Sequence, residues 1–162
     1  MDVFEAIRTR RSIRKYRPDP VPRELIERVL DAGRLAATGG NRQPWEFFVV
    51  TDAARRAEMS VMGGSGRWIA QAPVCIVIFM GEALTPVQDC AAAAENMLLA
   101  ACALGLGACW IGNPNASFAE RARTYFGARE GLHFFAFITL GYPDETPQPT
   151  KKPLDQIVHW EK

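Results

Sequence analysis

The sequence predicts a three-layer fold in which helices cover both faces of a β-sheet with at least four strands. One observation is a run of apolar residues, 74–80, with the length of a strand and the continuous hydrophobicity typical of a strand covered on both faces. A second is that segments with helical apolar spacing alternate with strand-like runs. The chain has 162 residues, 48% of them apolar, so we expect residues 1–162 to form a single domain with a substantial core.

Two helices are predicted in the first forty residues. Asp2 and Glu5 have the spacing of a capping box, which satisfies free N–H groups at the start of a helix. A second helix is expected to begin with Pro22, because proline suits the first helical position, and to stop at residues 38–40 (Thr-Gly-Gly). The apolar faces of the two helices are made by Val3, Phe4 and Ile7 and by Leu25, Ile26, Val29 and Leu30.

The middle of the chain is predicted to alternate strands with helices. Residues 45–51 are rich in aromatic and β-branched side chains and are typical of a strand, as is the run 74–80. Between them, residues 53–62 favour a helix that ends at a glycine-rich connection, 63–66. Pro86 then begins the longest helix, in which small and apolar residues recur at helical spacing and indicate close packing against a neighbour.

The last third is predicted to contain two strands, one helix and an extended tail. Residues 108–112 form a short strand, and Ser117 and Glu120 make a second capping box for a helix that ends at Gly127. Residues 133–140 are the last predicted strand. The tail is expected to be extended because of its prolines, which are Pro143, Pro147, Pro149 and Pro153.

Composition argues against several classes of protein. The formal charge of +1 creates no global field towards nucleic acid or a membrane, so we expect neither partner and any anion site must be local. The apolar runs are too short to span a bilayer, and charges occupy the N-terminus where a signal peptide needs an apolar segment, so we expect a cytoplasmic protein. The four cysteines lack the paired spacing of zinc ligands and lie in apolar segments, so we expect thiols in the core and no metal site.

A cluster of cations and one hydroxyl follows the first predicted helix, in Arg10-Arg11-Ser12-Ile13-Arg14-Lys15. Arginine binds phosphate through two parallel hydrogen bonds, so the cluster predicts a local anion-binding site. The alternative is a solvated charge run, and a basic patch that contacts nucleic acid also stays open.

Two further polar segments have both a functional and a structural interpretation. Asn41 and Gln43 follow a predicted helix, and their amides suit a heterocycle with alternating carbonyls and ring nitrogens. The alternative, which this segment favours when taken alone, is an ordinary loop with Asn41 in a left-handed conformation. Lys151 and Lys152 would both be drawn to a phosphate, but they are otherwise two exposed charges on the tail.

The glycine-rich segment 105–112 does not form a dinucleotide fingerprint. Trp110 occupies the third glycine position, and the glycines follow a helix and precede a strand, which is the reverse of a pyrophosphate turn. The backbone of Ile111 and Gly112 could instead approach a flat ring closely. The structural alternative is a helix end that leads into a core strand.

Taken together, these segments resemble the nitroreductase family of flavin-dependent oxidoreductases, and the likeness covers nearly the whole chain. The resemblance rests on four segments in the same order as in the family and on a basic pair near the C-terminus. They are Arg10-Arg11-Ser12-Ile13-Arg14, Asn41-Arg42-Gln43-Pro44-Trp45, Gly105-Leu106-Gly107 with Trp110-Ile111-Gly112, Leu140-Gly141-Tyr142-Pro143, and Lys151-Lys152-Pro153-Leu154.

The resemblance implies an α+β fold with a mixed central sheet flanked by helices, a class that periodicity alone does not separate from regular βαβ winding. It implies FMN at a homodimer interface, NADH or NADPH as electron donor, and a nitroaromatic, quinone or flavin as acceptor in ping-pong kinetics. The alternative is a protein that binds or consumes flavin without such turnover. The flavin performs the chemistry, so no catalytic side chain is implied.

The family's cofactor contacts carry over to particular residues of this chain. The phosphate and ribityl chain would be held by Arg10, Arg11, Ser12, Arg14 and Lys151, with Lys152 as the other member of the basic pair. The flavin would be contacted from the partner subunit by Thr38, Gly39, Asn41 and Gln43. The ring would be flanked by Trp110, Ile111 and Gly112, with a backbone N–H near Gly112 directed at its N5.

The chain departs from the family pattern in three ways. Ala37 and Thr38 stand where Pro-Ser is common, although Thr38 keeps a hydroxyl. Lysines replace the arginine that the family usually has near position 151. The replacement exchanges a bidentate contact for a point charge. Only one helix fits between residues 80 and 108, where larger members insert helices over the flavin, so the substrate face is expected to be open.

Overall fold

In a computed structural model that describes residues 1–62, 66–112 and 116–161, six helices and four strands follow much of the predicted order. The helices are α1 (Val3–Thr9), α2 (Arg23–Arg34), α3 (Ala53–Met62), α4 (Arg67–Gln71), α5 (Pro86–Ala103) and α6 (Ala116–Phe126). The strands are β1 (Trp45–Val50), β2 (Val74–Met80), β3 (Gly107–Gly112) and β4 (His133–Gly141). Single turns of 3-10 helix cover Gly39–Asn41 and Leu154–Gln156.

The four strands form one sheet in the order β1-β2-β4-β3, and every pair of described strands is antiparallel. A parallel component comes from outside the strands, where Ser12 forms a bridge with Ala108 of β3. Antiparallel neighbours separate this fold from regular βαβ winding, which requires parallel strands. The predicted α+β class is confirmed.

The apolar run of β2 is explained by two cores, one on each face of the sheet. Ile76 and Ile78 pack in a cluster with α2 and α5, whereas Val77 and Phe79 pack in a second cluster with α3, α4 and α6. Successive side chains of a strand point to opposite faces, so a strand covered on both sides needs apolar residues throughout. The predicted three-layer arrangement is confirmed.

Three predicted helix boundaries are wrong. α2 ends at Arg34 instead of residues 38–40, because the Leu35 N–H already closes the last turn on the Asp31 carbonyl and residues 39–41 form a turn of their own. Pro22 is the N-cap of α2, with an extended ψ of 140°, rather than its first helical residue. α6 begins at Ala116, so Ser117 lies within the helix instead of preceding it as the predicted capping residue. The Glu120 carboxylate accepts from the Arg123 guanidinium at 2.6 Å.

Helix α4 was not predicted, because its five residues follow the connection 63–66 and are too few for a periodic pattern. Of that connection, only Gly66 lies within the described residues. Three of the four thiols are buried as predicted, and Cys102 is half-buried. None of the helices in the described ranges is long and apolar enough to cross a membrane.

Candidate functional site

The cation cluster lies along the edge of the sheet beside β3. After α1 ends, Ser12 forms its parallel bridge with Ala108, and the Ile13 N–H donates to the Ala108 carbonyl at 2.9 Å. Gly107 makes this approach possible, because a Cβ atom there would lie 2.8 Å from Ile13 Cβ. The backbone of the cluster is therefore fixed against the core, with Arg14 and Lys15 exposed and Arg10 and Arg11 half-buried.

Replacing Gly107 with alanine is expected to lower the free energy of unfolding by about 1–3 kcal/mol, because overpacking forces the backbone of residues 12–14 away from β3. Urea denaturation measures the change. Gly112→Ala is the control on the same strand, since among the described residues its added Cβ would meet no atom nearer than Trp110 Nε1 at 3.9 Å. Equal unfolding free energies for the two variants would contradict the assigned role of Gly107.

The proline-rich tail is bonded to the cation cluster along its first residues. The Arg17 N–H donates to the Tyr142 carbonyl at 2.9 Å, and the Asp144 N–H donates to the Lys15 carbonyl at 3.0 Å. The Glu145 carboxylate accepts from the backbone N–H groups of Arg14 and Lys15. These bonds hold the tail against the cluster over a sequence separation of about 130 residues.

This arrangement creates a cavity of about 250 Å³ whose wall combines four cationic side chains and the Ser12 hydroxyl with two prolines of the tail. Its lining residues are Arg10, Arg11, Ser12, Arg14, Pro147, Pro149 and Lys151. Three guanidinium groups, one ammonium group and one hydroxyl can donate hydrogen bonds here, and such a donor set suits a phosphate. Lys152 is not among the described residues that line the cavity.

The three arginines of the cavity differ in how they are held. Arg10 pairs with Glu95 of α5 at 3.3 Å. Arg11 Nη1 donates to the Arg8 and Arg10 carbonyls at 2.7 and 2.8 Å, so this side chain caps the C-terminal turn of α1. Its Nε is buried and has no partner among the described residues.

Arg14 is exposed, and its guanidinium forms no ion pair with a carboxylate among the described residues. Its guanidinium lies over the Trp68 ring at 5.3 Å from the centroid. Behind it, burial raises the pKa of the Cys109 thiol above its ordinary value, and the nearby Arg14 and Ser12 only partly offset this. Cys109 is therefore neutral, and the charge of Arg14 remains available to a ligand.

The loop of residues 38–43 forms a second group of predicted site residues. Gly40, Asn41 and Gln43 all have left-handed backbones, with φ of 60°, 56° and 49°. The Gln43 side-chain amide donates to Asn41 Oδ1 at 3.2 Å, and the Gln43 N–H donates to Thr38 Oγ1 at 3.3 Å. Left-handed non-glycine residues cost free energy and cluster at functional sites.

The end of β3 presents mainly its backbone. Ile111 points into the second core and Trp110 packs against Phe135 at 5.4 Å between ring centroids, whereas Gly112 is exposed. The exposed main chain of this strand end leaves room for a flat ligand to lie against it.

The structure brings only part of the predicted site together within one chain. The described residues that line the cationic cavity include neither the loop 38–43 nor the strand end 110–112. Sequence reasoning missed Trp68 and Glu145, which fix the cluster from positions far along the chain. It also missed Asp89 on α5, which bonds to the loop at Gly39. No local pattern marks such long-range hydrogen bonds.

The sequence matches the Nitroreductase family over residues 7–62 and 60–142. The matched range includes the cation cluster, the loop 38–43 and all four strands, and this chain belongs to that family. The resemblance found in the sequence is confirmed.

Individual relatives support the same assignment. A candidate NADH dehydrogenase/NAD(P)H nitroreductase from Methanothermobacter thermautotrophicus is 41% identical over 153 residues, covering 91% of this chain and 80% of the relative. A candidate nitroreductase from Desulfovibrio desulfuricans, solved in complex with FMN, is 32% identical with a TM-score of 0.87, covering 100% of this chain and 98% of the other. An FMN-dependent nitroreductase from Clostridium difficile is 28% identical with a TM-score of 0.90, covering 98% of this chain and 99% of the other.

Proposed function

We propose that this protein is an FMN-dependent oxidoreductase that transfers electrons from NADH or NADPH to a nitroaromatic, quinone or flavin acceptor. The observation that carries the proposal is the cationic cavity, in which donors from residues 10–14 converge with Lys151. Of the solved relatives above 25% identity, one is a complex with FMN and another is described as FMN-dependent. Both support the same cofactor here. We also propose that residues 1–162 act as one flavin-binding domain.

The residues of the cavity fit the phosphate end of FMN. A phosphate dianion accepts several hydrogen bonds, and the cavity offers planar guanidinium forks, an ammonium group and the Ser12 hydroxyl. Arg11 Nε is a buried donor without a partner among the described residues, and a ligand oxygen would satisfy it. A terminal monophosphate suits this cluster better than the internal pyrophosphate of FAD, so we propose FMN without a preference for FAD.

The remaining contacts need a second copy of the chain. Thr38, Gly39, Asn41 and Gln43 are proposed to contact the flavin from the partner subunit, where the amides suit its carbonyls and ring nitrogens. The backbone at residues 110–112 is proposed to lie along the ring. A flavin between two subunits is supported by the separation of the loop from the cationic cavity within one chain.

An exposed apolar surface supports the proposed homodimer. Val3, Phe4 and Ile7 share one face of α1 and are all more than half exposed, as is Leu35 after α2. Beside them a groove of about 440 Å³ runs between α1, Leu35 and the outer side of α5. Stable interfaces bury on the order of 1,600 Å² and have apolar centres, and this surface has that character.

The proposed kinetics are ping-pong, with donor and acceptor using one open face in turn. Residues 81–106, all of them described, contain the single helix α5, so no further helix from this segment covers the face. Bound FMN would supply hydride acceptance from NAD(P)H and electron transfer to the acceptor. The chain's own residues would bind the phosphate, orient the ring and donate backbone N–H groups to it, and no side chain needs to act as acid or base.

The purified protein is expected to carry FMN, and mass spectrometry of the released ligand tests this directly. Anaerobic addition of NADH or NADPH is then expected to bleach the flavin absorbance, and addition of a quinone or nitroaromatic is expected to restore it. Bound FAD, or no flavin after reconstitution, would contradict the cofactor. Stable FMN binding without bleaching by either donor would favour a flavin-binding or flavin-consuming protein. Binding of nucleic acid in place of flavin would favour the basic-patch alternative.

A further inference from the structure

Asp89 is a buried carboxylate in the first turn of α5, and only 5% of its surface is exposed. Its Oδ1 atom accepts two hydrogen bonds, from the Gly39 N–H at 3.2 Å and from Thr85 Oγ1 at 3.1 Å. Its Oδ2 atom is buried and has no partner among the described residues. A polar oxygen in that position opposes folding, because it has lost water without gaining a hydrogen-bond partner among the described residues.

The carboxylate is connected to the loop that carries Asn41 and Gln43. Gly39 begins this loop, and after it Gly40, Asn41 and Gln43 are left-handed. Non-glycine residues keep such backbones only where the surrounding structure over-determines them.

Bonds within the loop and bonds from other elements both restrain these backbones. The Asn41 N–H donates to the Thr38 carbonyl at 3.2 Å, which is a bond internal to the loop. From outside, Asp89 holds the entry of the loop, and the Gly81 N–H donates to the Pro44 carbonyl at its exit at 2.6 Å. The entry restraint comes from a buried side chain on α5, so it ties the start of the loop to the core.

We infer that Asp89 is a positioning residue that fixes the backbone of the loop 38–43, so that the amides of Asn41 and Gln43 are presented to the flavin. The inference rests on the proposed function and extends it to a residue that does not contact the cofactor. The burial of Asp89 Oδ2 costs stability, whereas a loop that is ordered before the ligand arrives reduces the ordering cost on binding.

The test compares Asp89→Ala and Asp89→Asn with the wild type. Asparagine keeps a neutral oxygen acceptor for the Gly39 N–H, whereas alanine removes the acceptor. Met59→Ala is the control for general loss of stability, because Met59 is fully buried on α3 on the opposite face of the sheet. All variants are first compared by thermal melting without flavin.

Three readouts separate loop positioning from a merely structural role. Hydrogen exchange of the flavin-free proteins is expected to accelerate at residues 39–43 in Asp89→Ala, less in Asp89→Asn, and not selectively in Met59→Ala. Titration with FMN is expected to give about tenfold weaker binding for Asp89→Ala and a smaller loss for Asp89→Asn. The visible circular dichroism of the bound flavin is expected to change in the Asp89 variants alone.

Each other outcome overturns a stated part of the argument. Unchanged exchange at residues 39–43 would overturn the role of Asp89 whatever the protein binds. Faster exchange with unchanged FMN affinity and flavin dichroism would mean that the loop is held but does not orient the cofactor, which also overturns it. A wild-type protein that binds no FMN would overturn the proposed function, and with it the flavin side of the inference, while the exchange result would still report on the loop.

Discussion

Replacing Arg14 with alanine is expected to weaken FMN binding by about ten- to a hundredfold and to leave the stability of the flavin-free protein nearly unchanged. A charge-assisted hydrogen bond to phosphate is worth about 1.5–3 kcal/mol, and about 1.4 kcal/mol corresponds to one factor of ten. Arg14 is exposed, and its guanidinium contacts the Trp68 ring and lies near the Cys109 thiol. Surface substitutions of this kind usually change stability by about 0.5 kcal/mol or less.

Arg11→Ala is expected to differ from Arg14→Ala in its effect on stability. Arg11 caps the end of α1 through the carbonyls of Arg8 and Arg10, so its loss leaves both acceptors unpaired by this side chain. We expect the free energy of unfolding of the flavin-free protein to fall by about 1–3 kcal/mol. FMN affinity is expected to fall as well. Fluorescence titration with FMN and urea denaturation of the flavin-free proteins measure the two effects separately.

Arg23→Ala is the matched control, since it removes the same charge from an exposed site whose partner, Glu27, lies one turn along α2. Its FMN affinity is expected to equal that of the wild type. Wild-type FMN affinity in both Arg11→Ala and Arg14→Ala would remove the phosphate assignment. Equal losses in all three variants would mean that the cavity responds only to net charge.

The parts of the fold that the sequence predicted best are those in which one local pattern decides the outcome. The run 74–80 and the helix 53–62 match β2 and α3 at both ends, because a doubly covered strand and a capped helix each leave a continuous signature. Pro86 marks the start of α5, because proline is a local signal for the first turn of a helix. The end of α2 was missed because the glycines that resemble a helix end belong to a separate left-handed turn.

In the candidate site, too, the features that are local in sequence were predictable and the long-range contacts were not. The cation cluster is contiguous in sequence, so its convergence around a cavity was predictable from residues 10–14. The bond of Glu145 to Arg14 spans 131 residues, and that of Asp89 to Gly39 spans 50. Such partners are set by sheet order and by the path of the tail, which periodicity does not specify.

Replacing Phe4 with aspartate is expected to convert the proposed homodimer into monomers and to abolish stable FMN binding. Phe4 is 69% exposed in a single chain and lies on the apolar face of α1. A carboxylate there would be buried without a partner at the interface, which costs several kcal/mol. Light scattering should then give a mass near 18.0 kDa for the variant and twice that value for the wild type.

The design separates the interface from the helix itself, because Phe4 is the second residue after the Asp2 cap, where a negative charge stabilises a helix. Ala54→Asp is the matched control. It adds the same charge at the corresponding position of α3, two residues after Asp52. Asp52 accepts the N–H of Arg55 just as Asp2 accepts that of Glu5, so the two helix starts are equivalent. The control differs in lying on the other side of the sheet. The control is expected to remain dimeric and to keep its flavin. A dimeric Phe4→Asp protein would exclude the α1 face as the interface, and a monomeric one with full flavin would show that a single chain completes the site.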